Sequence, residues 1–199
     1  IKIAQGEYIL LLNSDTIVPS GSLEKLVKFV EKHPDTGVVV PRLLNSDQTT
    51  QASCYHFPSV WTAIKEFWLG QKGAFSKYAP MTNEPTLVDA AVGAAFLIPQ
   101  KVVKTVGLLD ERYFMYFEDL DYCRRVKKAG YRIYYLPEAK IIHLHGVSGK
   151  KLGNRPNQWL VKSSKIYHGL GRYYAIVLVI KLAQAWKKIG KYLFYKKQE

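Results

Sequence analysis

A short apolar run at residues 8–12 follows Gly6 and ends at the polar sequence Asn13-Ser14-Asp15. A run of this kind is typical of a strand that is buried in a parallel sheet. In open α/β sheets, ligands bind outside the carboxyl ends of the strands, where these polar side chains would lie. The feature therefore predicts an α/β fold and the edge of the sheet at which a site would form.

The residues that follow continue the alternation of helix and strand. Apolar side chains at helical spacing predict a helix over residues 23–32, and His33-Pro34-Asp35 ends it before a strand at residues 37–41. The later pattern predicts a buried strand or strand pair (88–98), a short helix (101–106), a helix from near 118 to Gly130, a strand (132–136), a turn (137–138) and a last strand (140–144).

Residues 42–86 separate these two patterned regions. They are rich in aromatic and turn-forming residues, and we expect them to form an irregular excursion that faces the substrate. Trp61, Trp68 and the tyrosines of residues 55–78 are candidates for stacking against the substrate, with packing in the core as the alternative.

The charge of the chain narrows the class of partner. Its 29 lysines and arginines outnumber its 16 aspartates and glutamates, for a formal charge of +13. This excess implies an acidic partner, which is nucleic acid, an anionic membrane or a phosphate-bearing small molecule. The hydrophobic content of 48% excludes a disordered chain. Cys54 and Cys123 predict neither a disulfide framework nor a zinc site, and they fit a reducing compartment.

The composition changes after Gly153, so we expect two units. Residues 1–153 form the α/β domain, and residues 154–199 form a basic, aromatic-rich helical tail. The apolar segment of the tail, residues 173–180, is shorter than the roughly 20 residues that a membrane span needs. Two interpretations stay open: a basic amphipathic helix at an anionic membrane surface, or a helical hairpin packed on the domain.

Asn13 and Asp15 form the first candidate site. A carboxylate at a strand end, with a polar oxygen two residues earlier, suits a hard cation whose other ligands are water and phosphate oxygens. Such a cation can neutralise the charge of a diphosphate leaving group. The alternative is that Asp15 only caps a helix or forms a turn.

Three acidic residues near a helix start, Glu118, Asp119 and Asp121, form the second candidate site. At helical spacing they cannot share one face, so we expect different roles. A displacement at an anomeric carbon needs one carboxylate to take a proton from the acceptor hydroxyl. Asp121 has the alternative of pairing with Arg124 or Arg125, and any of the three has the alternative of stabilising the helix dipole.

His143 and His145 form the third candidate site, at the end of a predicted strand. Strand alternation sends both side chains to the same face, where they would bind a metal or a phosphate. The alternative is that each is a structural histidine with its hydrogen bonds satisfied.

Two stretches, residues 6–27 and 88–148, resemble family 2 glycosyltransferases, and in particular their rhamnosyltransferase-like branch. The resemblance covers about residues 1–150. It implies the GT-A fold, a Rossmann-like α/β sandwich, here with a C-terminal helical extension. The family's Asp-x-Asp metal motif falls on Asn13-Ser14-Asp15, where Asn13 replaces the first aspartate and Asp15 is left as the main ligand of a divalent metal, Mg²⁺ or Mn²⁺.

The resemblance also implies roles for the other candidates. The family's catalytic base falls on Glu118-Asp119, and we predict that Asp119 is the base. A histidine that contacts the metal or the diphosphate falls on His143. The segment at residues 93–95 matches the acceptor-side strand, where small residues let the substrate approach the backbone. The predicted substrate-binding residues are Gly93, Ala94, Asp121 and His145.

Family members begin with a strand, a nucleotide-binding loop and an aspartate that holds the base, about one βαβ unit ahead of Ile1. We therefore expect this chain to be the later portion of a longer enzyme, truncated before the nucleotide-binding segment. The resemblance implies an inverting glycosyltransferase that moves rhamnose or another hexose from a nucleotide-diphosphate donor to a polysaccharide or lipid-linked acceptor.

The predicted partners are the sugar donor, the acceptor and an anionic membrane surface, with no nucleic acid. The predicted location is the cytoplasm, peripheral to the inner face of the membrane. Two other functions stay open: a basic binding module for membrane or nucleic acid, whose binding would depend steeply on salt, and a metal-dependent hydrolase or nucleotidyltransferase.

Overall fold

The computed structural model of the protein describes residues 1–144 and 154–196. Strands and helices alternate through this part of the chain, as the sequence predicts. In chain order they are β1 (Tyr8–Leu12), β2 (Thr16–Ile17), α1 (Ser22–Lys32), β3 (Thr36–Leu44), β4 (Cys54–Tyr55), α2 (Val60–Phe67), β5 (Thr86–Leu87), β6 (Ala90–Ala91), β7 (Ala95–Pro99), α3 (Gln100–Val106), α4 (Glu118–Lys128), β8 (Arg132–His143), α5 (Arg155–His168) and α6 (Leu170–Lys196).

A six-stranded sheet organises the domain in the order β1-β7-β3-β8-β2, with β5 also paired to β8. Strands β3 and β8 are parallel, whereas β7 is antiparallel to both β1 and β3. The prediction that residues 8–12 form a buried strand of a parallel sheet is therefore wrong in its pairing. Within the part of the chain that the structure describes, β1 is an edge strand, and only Ile9 of it is buried.

Strand β8 continues through residues 137–138, where the sequence predicts a turn. Pro41 pairs with Leu136 and Arg42 with Lys140, so the residues between Leu136 and Lys140 bulge out of register. Proline cannot donate a ladder hydrogen bond, and a bulge accommodates it without ending the strand. The predicted turn is therefore wrong, and one continuous strand carries His143 to the end of the sheet.

The sheet is covered on both faces, and the alternation of its side chains assigns each residue to one of two cores. Val38 and Val40 pack with residues of α4, including Leu120 and Val126. Val39 points the other way and packs against α1, whose buried side chains are Leu26, Phe29 and Val30. Burying each of these three is worth roughly 1.5–3 kcal/mol. This layering confirms the α/β sandwich.

Residues 42–86 are more ordered than the sequence predicts, because they contain α2. This helix begins at a capping box in which Ser59 Oγ accepts a hydrogen bond from the Thr62 N–H at 3.1 Å. Thr62 Oγ1 in turn accepts one from the Ser59 N–H at 2.8 Å. A threonine stands where glutamate or glutamine usually completes this motif, so the signal is weak in the sequence.

The tail is helical and packs against the domain along one side. Tyr167 of α5 is buried in the main core, and Ile176 and Ala183 of α6 are buried as well. The indole N–H of Trp68 donates to the main-chain oxygen of Val179 at 3.1 Å. Among the described residues, no helix has the length and hydropathy needed to span a bilayer. Of the two interpretations of the tail, the helical hairpin packed on the domain therefore describes its inner side.

Candidate active site

A cavity of about 720 Å³ lies between the ends of strands β1 and β8 and the start of helix α4. Its lining includes seven of the residues that the sequence singles out. These are Asn13, Asp15, Gly93, Ala94, Glu118, Asp119 and His143. His145 lies outside the described residues. Residues as far apart in sequence as Asn13 and His143 are thus brought to one site.

The pairing of β2 with β8 places Asp15 beside His143. Thr16 is the register partner of His143, and the Leu144 N–H donates to the main-chain oxygen of Asp15 at 2.9 Å. His143 Nε2 lies 3.4 Å from Asp15 Oδ1 and 3.4 Å from Asn13 Nδ2. A carboxylate, an imidazole nitrogen and a side-chain amide therefore converge at the end of the sheet.

Gln51 orients the His143 ring, and sequence analysis did not identify it. Gln51 Oε1 lies 2.7 Å from His143 Nδ1, and Gln51 Nε2 donates to Asn45 Oδ1 at 2.9 Å. Because an amide oxygen only accepts, Nδ1 carries the hydrogen, and Nε2 is the ring nitrogen that faces Asp15. A histidine metal ligand usually has its other nitrogen held in this way. No local pattern marks Gln51, because it acts on a residue 92 positions away.

These side chains fit a divalent cation that is only partly held by protein. Within the described ranges, no group of three or more His, Cys, Asp or Glu side chains forms a complete metal site. Asp15 and His143 supply two donor atoms that face each other, and the Asp15 side chain keeps 16% of its surface exposed. Phosphate oxygens and water would complete the coordination, as is usual for Mg²⁺.

Asp119 and Glu118 form the opposite wall of the cavity, at the start of α4. Asp119 Oδ2 accepts a hydrogen bond from the Gly93 N–H at 3.1 Å, and Oδ1 accepts one from the Leu120 N–H at 2.8 Å. Burial raises the pKa of Asp119, although these hydrogen bonds oppose the rise. Burial and then the charge of Asp119 raise the pKa of Glu118 to about 7. Glu118 Oε2 is buried with no hydrogen-bond partner among the described residues.

The connection between β6 and β7 joins the two walls. The Gly93 N–H holds Asp119, and the next residue, Ala94, accepts a hydrogen bond from the Asn13 N–H at 2.9 Å. A Cβ atom added at Gly93 would meet Asp119 Cβ at 3.7 Å, an ordinary contact distance. The fold itself therefore does not require glycine at this position. Because glycine has no side chain, the backbone of Gly93 is accessible from the cavity.

Helix α5 of the tail supports the segment that leads into α4. Tyr116 and Phe117 have left-handed φ angles of 67° and 70°, which cost roughly 1–3 kcal/mol each. Ser163 Oγ donates to the main-chain oxygen of Met115 at 2.7 Å, and the Tyr167 ring packs 5.1 Å from the ring of Phe117. The tail therefore helps to hold the backbone immediately before Glu118.

Asp121 does not line the cavity, in contrast to the other predicted residues of α4. Its Oδ2 accepts a hydrogen bond from Arg125 Nε at 2.8 Å, and its Oδ1 accepts one from Arg124 Nη2 at 3.1 Å. Arg125 also donates to the main-chain oxygens of Val106 and Leu108. Asp121 thus takes the alternative role that its spacing allows, which is to anchor α4 to the preceding loop.

Of the aromatic residues that the sequence singles out for stacking, Tyr55 lines the cavity and the two tryptophans do not. Trp61 and Trp68 are exposed on the outside of the domain and do not line the cavity. Tyr55 lines it instead, and burial together with the charge of Asp119 raises the pKa of its hydroxyl. This phenol is therefore a neutral hydrogen-bond donor. Its selection depends on the pairing of β4 with β6, which the sequence does not reveal.

The fold is similar to the GT-A fold of glycosyltransferases. The crystal structure of GalNAc-T7 with UDP, GalNAc and Mn²⁺ matches with a TM-score of 0.55, over 88% of this chain and 31% of that chain. The two are 14% identical in sequence, so the likeness concerns the fold alone.

The chain belongs to the family described as Glycosyltransferase like family 2, whose sequence profile matches residues 1–161. It is 30% identical over 168 residues to rhamnosyltransferase WbbL of Escherichia coli (strain K12), which covers 82% of this chain and 62% of WbbL. It is 28% identical over 144 residues to the N-acetylglucosaminyl-diphospho-decaprenol L-rhamnosyltransferase of Mycobacterium tuberculosis (strain ATCC 25618 / H37Rv), which covers 69% of this chain and 47% of that protein. The chain spans less than two thirds of both relatives.

Proposed function

We propose that this chain is part of an inverting glycosyltransferase that moves rhamnose or another hexose from a nucleotide-diphosphate donor to a polysaccharide or lipid-linked acceptor. The observation that carries the proposal is the cavity, which is lined both by a pair of candidate cation ligands and by a pair of partly buried carboxyl groups. The names of the relatives support a rhamnosyl donor, and one of them includes a lipid-linked acceptor. A role in surface polysaccharide synthesis is part of the proposal, because a relative in Myxococcus xanthus, 26% identical over 148 residues, is named O-antigen biosynthesis protein RfbC.

Asp119 is the catalytic base in this proposal. Its two main-chain hydrogen bonds hold the carboxylate in one orientation, so it can accept the proton of the acceptor hydroxyl. The hydroxyl oxygen then forms a bond to the anomeric carbon as the bond to the diphosphate breaks. The bonding electrons leave with the diphosphate, and attack from the opposite side inverts the anomeric configuration.

Glu118 keeps the charge of the acidic pair low. Two adjacent carboxyl groups that are buried together resist ionising at the same time. Because the pKa of Glu118 is raised to about 7, it is mostly protonated below that pH. A single negative charge then remains for the base.

Asp15 and His143 would hold a divalent cation at the diphosphate end of the donor. A divalent ion, Mg²⁺ or Mn²⁺, would supply positive charge to the leaving diphosphate. His143 presents Nε2 because Gln51 accepts from Nδ1. Asn13 would turn its amide so that the oxygen, instead of Nδ2, faces the ion.

We propose a reducing cytoplasmic location at the inner face of the membrane. Both cysteines are unpaired and buried, which fits a reducing compartment. An acceptor carried on a lipid would also require the site to work close to a membrane.

Donor screening tests the proposal, with this chain and with the longer protein in which we expect it to occur. A panel of nucleotide-diphosphate sugars is offered with a lipid-linked acceptor, and the anomeric configuration of the product is determined by NMR. Transfer with inversion is the expected result. Release of free sugar without an acceptor would indicate a hydrolase, and retention of configuration would contradict the mechanism.

A further inference from the structure

Large apolar side chains are exposed on neighbouring helices on the outside of the domain. Trp61, Trp68 and Leu69 lie on or just after α2, at spacings of seven and eight residues. Four more lie on α6, at positions that recur at helical spacing. We call the seven side chains the apolar face, and they are Trp61, Trp68, Leu69, Leu178, Leu182, Trp186 and Ile189.

The two helices contribute to one continuous surface. Trp68 donates its indole N–H to the main-chain oxygen of Val179, so α2 touches α6 at that point. Leu178, Leu182, Trp186 and Ile189 of α6 are each more than half exposed, whereas Ile176 and Ala183 of the same helix are buried. The inner side of α6, marked by Ile176, is buried against the domain. The exposed side is thus not part of the core.

Positive charge surrounds the apolar face. Lys65 of α2 and both Lys181 and Lys188 of α6 lie at its margin, and residues 154–196 include no acidic residue. The one acidic side chain of α2, Glu66, is engaged by the main-chain N–H groups of residues 75–76. Within α2 and residues 154–196, the positive charge of these lysines is therefore not offset by an unengaged acidic side chain.

We propose that the apolar face docks on the surface of an anionic lipid bilayer. A helix with apolar and aromatic residues on one side and lysines at the margin lies in the plane of the interface, where tryptophan side chains are favoured. Anionic headgroups attract the lysines, each worth about 1 kcal/mol. The described helices are not long and apolar enough to cross the bilayer, so the contact is peripheral.

The position of the apolar face relative to the cavity suggests what docking achieves, and this step rests on the proposed function. Phe67 lines the cavity, and the next residue, Trp68, belongs to the apolar face. Leu160 of the tail also lines the cavity. Docking would therefore bring the apolar rim of the cavity to the membrane. An acceptor could then keep its lipid in the bilayer while its sugar end reaches Asp119.

Flotation with lipid vesicles tests the docking surface without donor or acceptor. Vesicles contain phosphatidylcholine alone or phosphatidylcholine with phosphatidylglycerol. Leu182→Ser combined with Trp186→Ser should weaken binding to the anionic vesicles about tenfold or more, because large apolar side chains no longer enter the lipid. The matched control is Ile3→Ser combined with Met81→Ser, which removes exposed apolar side chains outside the apolar face and should bind as the unmodified chain does.

A second set, Lys181→Gln and Lys188→Gln, tests the charge and keeps the experiment valid if the serine variant does not fold. Each lysine removed should weaken binding to anionic vesicles about fivefold. Equal flotation of all variants would overturn the proposal. So would lipid-free self-association that the serine variant abolishes, because the apolar face would then bind a second copy. Since flotation needs no transfer, failure of the transfer assay and failure of docking are separate results.

Discussion

The two walls of the cavity hold acidic side chains in opposite settings. Asp15 is partly open to solvent and lies 3.4 Å from His143 Nε2, where a cation can be shared. Asp119 and Glu118 are enclosed at the start of a helix, and burial raises the pKa of each. One wall is suited to binding positive charge, and the other is suited to accepting a proton.

The contrast shows that burial outweighs the helix dipole at the start of α4. The dipole favours a charged carboxylate at this position by about 0.3–1 kcal/mol and would lower the pKa. A rise of the Glu118 pKa from 4.5 to about 7 corresponds to a cost of ionisation on the order of 3 kcal/mol. We therefore propose different roles for carboxyl groups of one cavity because their surroundings differ.

The largest expected effect tests the proton-accepting wall. Asp119→Asn should lower the transfer rate about 10²–10⁴-fold, because the amide cannot accept the proton of the acceptor hydroxyl. Steady-state kinetics measure the rate, and Mn²⁺ binding should stay unchanged. Asp47→Asn, at an exposed turn, is the control. Full activity of the Asp119 variant would assign the base elsewhere.

The cation-binding wall should respond in the reverse way. Asp15→Ala should weaken Mn²⁺ binding by at least about 100-fold, because it removes a direct ligand and not a residue behind one. Titration calorimetry in the presence of a nucleoside diphosphate measures the affinity. Under the same conditions Asp119→Asn should bind Mn²⁺ normally. If the two variants behaved alike, the division of roles between the walls would be wrong.

Gln51 sharpens the comparison, because it affects the cation wall through His143 alone. Gln51→Leu should weaken Mn²⁺ binding about 10–100-fold and release the His143 tautomer, which ¹⁵N NMR of the ring detects. Gln51→Glu should restore both, since a carboxylate also accepts from Nδ1. A Leu variant with unchanged ring signals would show that Gln51 has only a packing role.

The raised pKa of Glu118 predicts a stability change with pH. Between about pH 4.5 and about 7 the folded state binds more protons than the unfolded state, so stability falls as pH rises through this window. Glu118→Gln removes that loss and should raise the melting temperature at about pH 8 by roughly 6–12 °C, with little gain at about pH 4. Scanning calorimetry between about pH 4 and about pH 8 measures the melting temperature of both proteins. If the melting temperatures of the two proteins changed with pH in parallel, the raised pKa of Glu118 would be contradicted.

The smallest expected effect concerns the connection between the walls. Gly93→Ala should change the unfolding free energy by no more than about 0.5 kcal/mol, because the new Cβ makes an ordinary contact with Asp119. If an acceptor approaches this backbone, its KM should rise by up to about tenfold. Denaturant unfolding and kinetics separate the two outcomes. An unchanged KM would remove Gly93 from the substrate-binding residues.

Short stretches of sequence were enough to predict several of the helices. Helices α1, α3 and α4 follow from apolar spacing and stop signals, and the structure confirms them within a residue or two. The direction of β7 was not predictable, because a buried strand has the same composition whether its neighbours are parallel or antiparallel. The bulge in β8 depends on its pairing with β3, which lies about a hundred residues earlier in the chain.

The sequence by itself determined which family the chain belongs to and which residues are candidates for the chemistry, because Asn13, Asp15, Glu118, Asp119 and His143 lie in recognisable local contexts. The tertiary structure alone decided how those groups behave. The His143 tautomer, the Glu118 pKa and the outer side of α6 all depend on distant contacts. The protonation and exposure of a side chain depend on the atoms around it, and folding brings those atoms together from distant parts of the chain.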